Sequence, residues 1–313
     1  MSFLRPKSKI DEGDTVILFL GVNSMHTIQA TPTVVNRKGE EVEHIFQTSF
    51  GALKIRSIIG VEYGSQVKLS KGWAYILQPN PQLWTQTLPH RTQIIYPPDI
   101  SMIIHQLDLY PGAVVVESGT GSGSLSHFLL HAIKPSGYLH TFDFHEARAK
   151  QAQDEFQSHG LGDFVSVYNR DVCQSGFGSD LDGKIDAVFL DLPAPQLAVP
   201  YAVKAFKNQG GRFCSFSPCI EQSQRCCEAL KEHGFTEIQS LEILQQENQV
   251  KTKTLPVINL DFVKHKKLLD SPAQEKHLPS KDVVKVVTTF TPSTHTGHTG
   301  FLTFATLPPI FAR

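Results

Sequence analysis

Between residues 14 and 80, apolar and polar positions alternate in short runs. DTVILFLG, HTIQATPTVV, VEHIFQTSF, SQVKLS and GWAYILQP are separated by Gly, Asn or Lys-Gly turns. Short runs without a helical period predict β-strands, and five of them predict a small β-barrel or sandwich over residues 1–80. The pattern then changes. Residues 78–101 are a Pro-rich connector leading into a helix over about 99–109. From there compact apolar runs (VVVES, YLHTFDF, FVSVYNRDV, DAVFLDL, RFCSFS) alternate with longer stretches suited to helices, and FTEIQSLEIL and FLTFATL supply the last strands. Alternating strands and helices predict an α/β domain over 81–313, a mostly parallel sheet with helices on both faces. Residues 247–285 are polar, Lys-rich and Pro-containing and read as a mobile insertion.

Composition sets limits on partners. The 313 residues carry 29 basic and 30 acidic side chains, so the net charge is −1, and no strong overall field draws in nucleic acid. Five cysteines, two of them adjacent (Cys226 and Cys227), suit a reducing compartment better than a disulfide framework. Cys214 and Cys219 lack metal-ligand spacing. His295 and His298 stand three apart, but the Thr and Gly around them read as a turn, so no metal site is expected. The N-terminus has no apolar core of a signal peptide, and no apolar run is long enough to span a bilayer. A soluble intracellular protein is expected, and the basic cluster 264–267 is a poor nuclear signal on its own, explained equally well as a solvated loop.

The chemistry starts at VVVESGTGSGSLS, residues 114–126. A buried strand runs into Glu117, then a turn containing Gly119, Gly121, Ser122, Gly123 and Ser124, then a helix whose first amides are free to bind a ligand. A dinucleotide fingerprint would need Gly at 124, and a P-loop would need Lys. Glu117 would repel a pyrophosphate, so a cofactor without phosphate fits better. The E-x-G-x-G-x-G spacing resembles motif I of the class I S-adenosylmethionine (AdoMet) methyltransferases. Asp143, about 20 residues on and at the end of the next strand, is placed to accept ribose hydroxyls, with Arg148 on the following helix. Asp171 and Val172 end the third strand, where the adenine edge is met in that fold. FLDLPAP then delivers Asp191 to the carboxyl end of the sheet, and the prolines stiffen the loop behind it. Capping the turn before Pro193 is the alternative role for Asp191.

Five blocks together resemble the catalytic subunits of eukaryotic tRNA (adenine-N1)-methyltransferases, which act on adenosine 58 of the T-loop. They are LPHRTQIIY (88–96), ESGTGSGSLSH (117–127), DVCQSGFG (171–178), FLDLPAP (189–195) and GGRFCSFSPCIEQ (210–222), with HTGHTGFLTFAT near the C-terminus. The resemblance implies a Rossmann-like class I methyltransferase fold with AdoMet as cofactor. It implies that Ile95 closes over the cofactor, that Glu117, Gly119, Gly121, Ser122, Gly123, Ser124, Asp143, Arg148, Asp171, Val172 and Asp191 surround it, and that Asp191 also faces the target base. It places Gly72, Trp73, Gln93, Ile94, Tyr96, Pro97, Ser215, Phe216, Ser217 and Pro218 on the RNA side. It further implies tRNA as substrate, a related non-catalytic subunit as partner in a heterotetramer of two catalytic and two non-catalytic chains, and a nuclear location.

Three other readings compete. A non-catalytic paralogue has no need of Glu117, the three glycines, Asp143 and Asp191. A methyltransferase for another substrate, such as a protein carboxylate, would share the fold, but FLDLPAP and SFSPC favour adenine. A nicotinamide oxidoreductase is disfavoured by Ser124.

Overall fold

The computed structural model describes residues 3–257, 283–293 and 297–313. They form two compact units, Met1–Ile243 with Thr299–Arg313, and Leu244–His298.

The first unit opens with antiparallel structure. Strands β1 (Thr15–Gly21), β2 (Ser24–Gln29), β3 (Thr33–Val35), β4 (Glu41–Glu43), β5 (Ile45–Thr48), β6 (Gly51–Lys54), β7 (Gln66–Lys68) and β8 (Trp73–Leu77) follow in order. A four-stranded sheet has the order β2-β1-β8-β7, and β3-β4 and β5-β6 are separate hairpins. The runs HTIQATPTVV and VEHIFQTSF therefore each break into two strands. Pro32 separates the first pair; it has no amide to give to a ladder. Ile10, Val16, Leu18, Ile28, Leu53, Ile55, Ile58, Ala74 and Ile76 bury together, which gives these strands a core of their own.

The connector is not structureless. It contains helix α1 (Pro81–Thr87), whose Asn80 cap accepts from the Leu83 amide at 2.8 Å. Pro81 takes the first helical position, where a missing N–H costs nothing. Helix α2 (Pro97–Gln106) begins two residues earlier than the pattern predicted.

The α/β part continues through β9 (Val114–Ser118), α3 (Ser124–Ile133), β10 (Tyr138–Asp143), α4 (Glu146–Ser158), β11 (Val165–Asn169), α5 (Val172–Ser175), β12 (Ala187–Asp191), α6 (Val199–Ala205), β13 (Gly211–Ser217), α7 (Ile220–Glu232) and β14 (Thr236–Leu241). In the second unit, β15 (Gln249–Pro256) and β16 (Val283–Phe290) pair antiparallel over eight residues. Strands thus stand at both ends of the stretch whose composition predicted a mobile insertion; residues 258–282, with the basic cluster, lie outside the described residues. So do 294–296, with His295.

The last strand, β17 (Phe301–Leu307), belongs to the first unit. The seven-stranded sheet has the order β11-β10-β9-β12-β13-β17-β14. Its first five strands are parallel, and β17 runs antiparallel between β13 and β14. Successive residues of a strand face opposite sides. Val115 and Phe189 accordingly join a core with α2 and α3 residues such as Ile103 and Leu129, whereas Val116, Val188 and Leu190 join one with α6 and α7 residues such as Ala202 and Leu230. The chain winds outward in opposite directions from β9, toward β10 and toward β12. That reversal opens a crevice at the carboxyl ends of β9 and β12, where ligands bind in open α/β sheets.

Candidate active site

A cavity of about 460 Å³ lies at that crevice. Its walls include Ile95, Glu117, Gly119, Gly121, Ser122, Ser124, Asp143, Arg148, Asp171, Val172 and Asp191, together with Gln93 and Ile94. These residues come from five separate stretches of chain. Gly123 does not line the cavity; it is the N-cap of α3.

The loop after β9 is shaped by its neighbours. Gly119 has φ +101°, and a Cβ there would lie 2.5 Å from the Asp191 carbonyl oxygen. At Gly121 (φ +52°) a Cβ would lie 2.7 Å from Thr92 Oγ1. Both positions need glycine for conformation and for space. The Gly119 amide donates to the Phe142 carbonyl at 2.9 Å, and the Gly121 amide to Asp143 Oδ2 at 3.2 Å.

Asp143 is therefore more than a strand terminus. Its carboxylate also accepts from the His145 amide (2.9 Å) and from Arg148 Nη2 (3.0 Å) and Nε (3.2 Å). Loop, helix start and guanidinium converge on one buried acid. The Arg148 guanidinium lies 5.2 Å from the centre of the Phe144 ring, a cation–π contact.

Glu117 is 1% exposed. Ser126 Oγ (2.6 Å) and Thr141 Oγ1 (2.7 Å) both donate to its Oε2. Neither donor carries charge. Burial raises its pKa to about 7, against the two hydroxyl hydrogen bonds and with help from the nearby Asp191 and Asp143 charges. Asp191 lies on the neighbouring strand. Phe189 pairs with Glu117 in the parallel ladder, so the acid two residues further on faces the same side. Its carboxylate makes no hydrogen bond or ion pair among the described residues, so the turn-capping alternative is not realised. Burial raises its pKa to about 6.

Asp171 departs from expectation. β11 ends at Asn169, and Asp171 is the N-cap of α5, accepting from the Cys173 amide (3.0 Å) and Gln174 Nε2 (2.9 Å). It lines the cavity as a capping residue. Ser122 and Ser124 line the cavity as expected, and their hydroxyls fasten the loop to the segment before α2. Ser122 Oγ accepts from the Arg91 and Thr92 amides at 2.9 and 3.1 Å, and Ser124 Oγ donates to the Ile95 carbonyl at 3.1 Å.

Of the residues expected on the RNA side, Gln93 and Ile94 line the cavity, and the others stand outside its wall. Gly72 packs against Phe50. Trp73 is 54% exposed on β8, edge-on to Tyr75 at 5.3 Å. Tyr96 is half exposed and caps α2, with Pro97 at its first position. Ser215 and Ser217 are fully buried in β13; Ser215 Oγ meets Cys226 Sγ at 3.3 Å. Their side chains reach neither the cavity nor the surface. Phe216 is half-buried, packed where a Cβ on Gly300 would stand, and Pro218 is exposed.

Sequence reasoning missed Thr92, Thr120, Thr141, Ser126 and Arg170. Thr120 and Thr141 share a hydroxyl hydrogen bond of 2.7 Å behind the loop. Thr141 lies two residues before Asp143 on β10, so the strand period places it on the same face; that signal was present. Among the described residues no group of three or more His, Cys, Asp or Glu is placed to hold a metal ion, and no helix is long and apolar enough to cross a membrane. All five cysteines are free thiols.

Comparison with known proteins decides the family. Residues 72–307 match the tRNA methyltransferase complex GCD14 subunit family. The chain belongs to this family. Curated relatives agree: it is 40% identical to a Dictyostelium discoideum protein over 82% of this chain and 80% of that one. It is 41% identical to a Candida albicans protein over 78% of this chain and 70% of that one. Both carry the name tRNA (adenine(58)-N(1))-methyltransferase catalytic subunit. Among solved structures, a SAM-dependent O-methyltransferase from Thermotoga maritima superposes with a TM-score of 0.73 at 24% identity, covering 96% of this chain and 95% of that one. The tRNA (m1A58) methyltransferase TrmI from Aquifex aeolicus gives 0.67 at 20% identity, covering 95% and 98%. These two establish the fold of this family member, a class I methyltransferase α/β sheet preceded by antiparallel strands.

Proposed function

We propose that this chain is the catalytic subunit that transfers a methyl group from AdoMet to N1 of adenosine 58 in tRNA. The observation that carries the reading is the pair of acids facing one cavity, with Asp191 left without a hydrogen-bond or ion-pair partner among the described residues. The cavity suits AdoMet. Gly119 and Gly121 stand in the cavity wall, Asp143 ends β10 where ribose hydroxyls are met in such sheets, and Glu117 lacks a cationic partner among the described residues, as a positively charged ligand requires. Bound there, AdoMet supplies an electrophilic methyl group.

The protein needs no strong base. N1 of adenine has a free lone pair at neutral pH, and methylation leaves the ring cationic. Asp191, pushed up to about 6 by burial, is ionised at neutral pH. It can accept from the N6 amine and stabilise the charge that develops on the ring. The target base must leave its stack to reach this depth, and Tyr96 and Trp73 are the exposed aromatics in the first unit that we assign to the RNA side. Residues 1–80 are a β-domain that contributes Trp73 to that surface, and 81–313 are the methyltransferase domain, which contributes Tyr96. With a net charge of −1, the basic groups that tRNA phosphates demand are ascribed to a related non-catalytic subunit, in a heterotetramer acting in the nucleus.

The test is methyl transfer from labelled AdoMet to unmodified tRNA, with and without that subunit and with product nucleosides identified by mass spectrometry. The reading expects 1-methyladenosine at position 58 in the presence of the subunit. Label on another position, or on protein alone, would overturn it.

A further inference from the structure

Residues 88–96 cover the glycine loop without belonging to a helix or strand. A segment with no ladder of its own must be held by other groups. Two loop serines hold part of it: Ser122 Oγ accepts from the Arg91 and Thr92 amides, and Ser124 Oγ donates to the Ile95 carbonyl while also sharing a hydrogen bond with Thr85 Oγ1 at 2.9 Å. Between these anchors lie Thr92, Gln93, Ile94 and Ile95, all in the cavity wall.

A third anchor reaches further. Arg91 Nη2 stands 3.0 Å from Glu155 Oε2 on α4, with the two side chains only 10% and 13% exposed. Burial raises the Glu155 carboxyl, and the Arg91 guanidinium opposes that rise. Arg91 Nε is buried without a partner. The guanidinium therefore depends on Glu155 for its charge partner, and a buried charge stripped of its partner is strongly unfavourable. The Glu155 carboxylate also lies beside the first turn of α3: a Cβ on Gly123 would be 3.7 Å from Oε2. The ion pair thus ties three pieces together, the 88–96 segment, the start of the loop's helix, and α4, which begins just after Asp143.

We propose that Arg91 and Glu155 are positioning residues that latch the 88–96 segment over the cofactor cavity and so set cofactor affinity. Neither residue lines the cavity, so neither touches the cofactor or the reacting atoms. The inference rests on the AdoMet reading of the site. Its consequence is a split between binding and chemistry. Without the latch, the segment samples open positions and AdoMet binding weakens. Once AdoMet saturates, Ile95 and Asp191 are in place and transfer proceeds at its usual rate.

The test compares the full chain with Glu155→Gln, Arg91→Gln and the exchanged pair Arg91→Glu/Glu155→Arg. AdoMet Kd comes from calorimetry, amide hydrogen exchange reports on residues 91 and 92, and single-turnover transfer is measured at saturating AdoMet. The expected result is a Kd raised by about tenfold to a hundredfold in each single variant, with faster exchange at 91 and 92, a transfer rate within about twofold of the parent, and substantial recovery in the exchanged pair. Lower melting temperatures with unchanged Kd and unchanged exchange at 91–92 would reduce the pair to a structural contact and overturn the proposal. Should the single variants not fold, AdoMet added to the unaltered chain must slow exchange at 91 and 92; no slowing overturns it. Absence of any AdoMet binding by the unaltered chain would instead overturn the cofactor reading.

Discussion

Asp143 and Asp191 end two strands of the same sheet and face the same cavity, yet they are held in opposite ways. Asp143 is saturated: two backbone amides and a guanidinium converge on it. Asp191 is bare, with no hydrogen bond among the described residues. The β10 side of the crevice is preorganised before any ligand arrives. The β12 side keeps a desolvated, uncompensated acid whose partner must come from outside. A buried carboxylate that gains nothing from the protein costs stability, so the contrast identifies one side as scaffold for binding and the other as the place where charge is received.

The largest effect should come from breaking the bare side. Asp191→Asn keeps the shape and removes the charge, and transfer to tRNA should fall by about 10²–10³-fold in single-turnover kinetics, the range found when one transition-state stabilising group is lost. Breaking the saturated side should read out differently. Asp143→Asn strips Arg148 of its anionic partner and weakens the grip on Gly121; AdoMet Kd should rise by about tenfold, with unfolding free energy lowered by about 1–3 kcal/mol, seen in calorimetry and chemical denaturation.

The contrast sharpens with pH. Glu117 and Asp191 have pKa values raised to about 7 and about 6. Acids raised on folding favour the folded state fully only below their unfolded values, and that contribution is lost as pH rises through 6 to 7. Unliganded stability should therefore decline over that window. A cationic ligand prefers ionised Glu117, so the thermal stabilisation produced by AdoMet should grow between about pH 5 and pH 8. Glu117→Gln should flatten that growth. The buried His127–His159 pair acts in the opposite direction. His127 Nδ1 donates to the Gly123 carbonyl at 2.6 Å, and its Nε2 lies 2.9 Å from His159 Nδ1, so both rings are neutral. Burial lowers them to about 4 and about 2. Their contribution is present above about 6.5 and lost as pH falls through 4, which sets an acid limb of unfolding beneath the carboxylate effect. The smallest effect is expected at Trp73→Ala: a several-fold loss in tRNA affinity, in line with about 1 kcal/mol for a lost stacking partner, with AdoMet binding and melting temperature unchanged.

Much of this was legible in the chain. The strand periods from 114 to 217, the glycine loop and the positions of Glu117, Asp143 and Asp191 follow from alternation and turn chemistry, which act locally. Helix α1 is masked in the sequence by the surrounding prolines, which suggest a connector, although Asn80 followed by Pro81 is a helix-start signal. The β15–β16 hairpin was hidden because lysines dilute the Val/Thr alternation in KTKTLP and VVKVVTTF. The alternation carries the third strand to Asp171, but Asn169 ends it, and the two-residue difference turns a strand terminus into a helix cap. What could not be read were the long-range hydrogen bonds: nothing local links Ser122 to Arg91, or Arg91 to Glu155 64 residues away. Those contacts exist because the fold brings the 88–96 segment onto the loop.

The most direct test of the division between the two acids is a pair of numbers, AdoMet Kd and single-turnover transfer rate, measured for Asp191→Asn and Asp143→Asn side by side. The account predicts a crossed result. Asp191→Asn should hold AdoMet within about threefold of the parent while transfer falls by about 10²-fold or more, and Asp143→Asn should lose affinity while retaining most of its rate at saturation. Parallel losses of affinity and rate in both variants would contradict it.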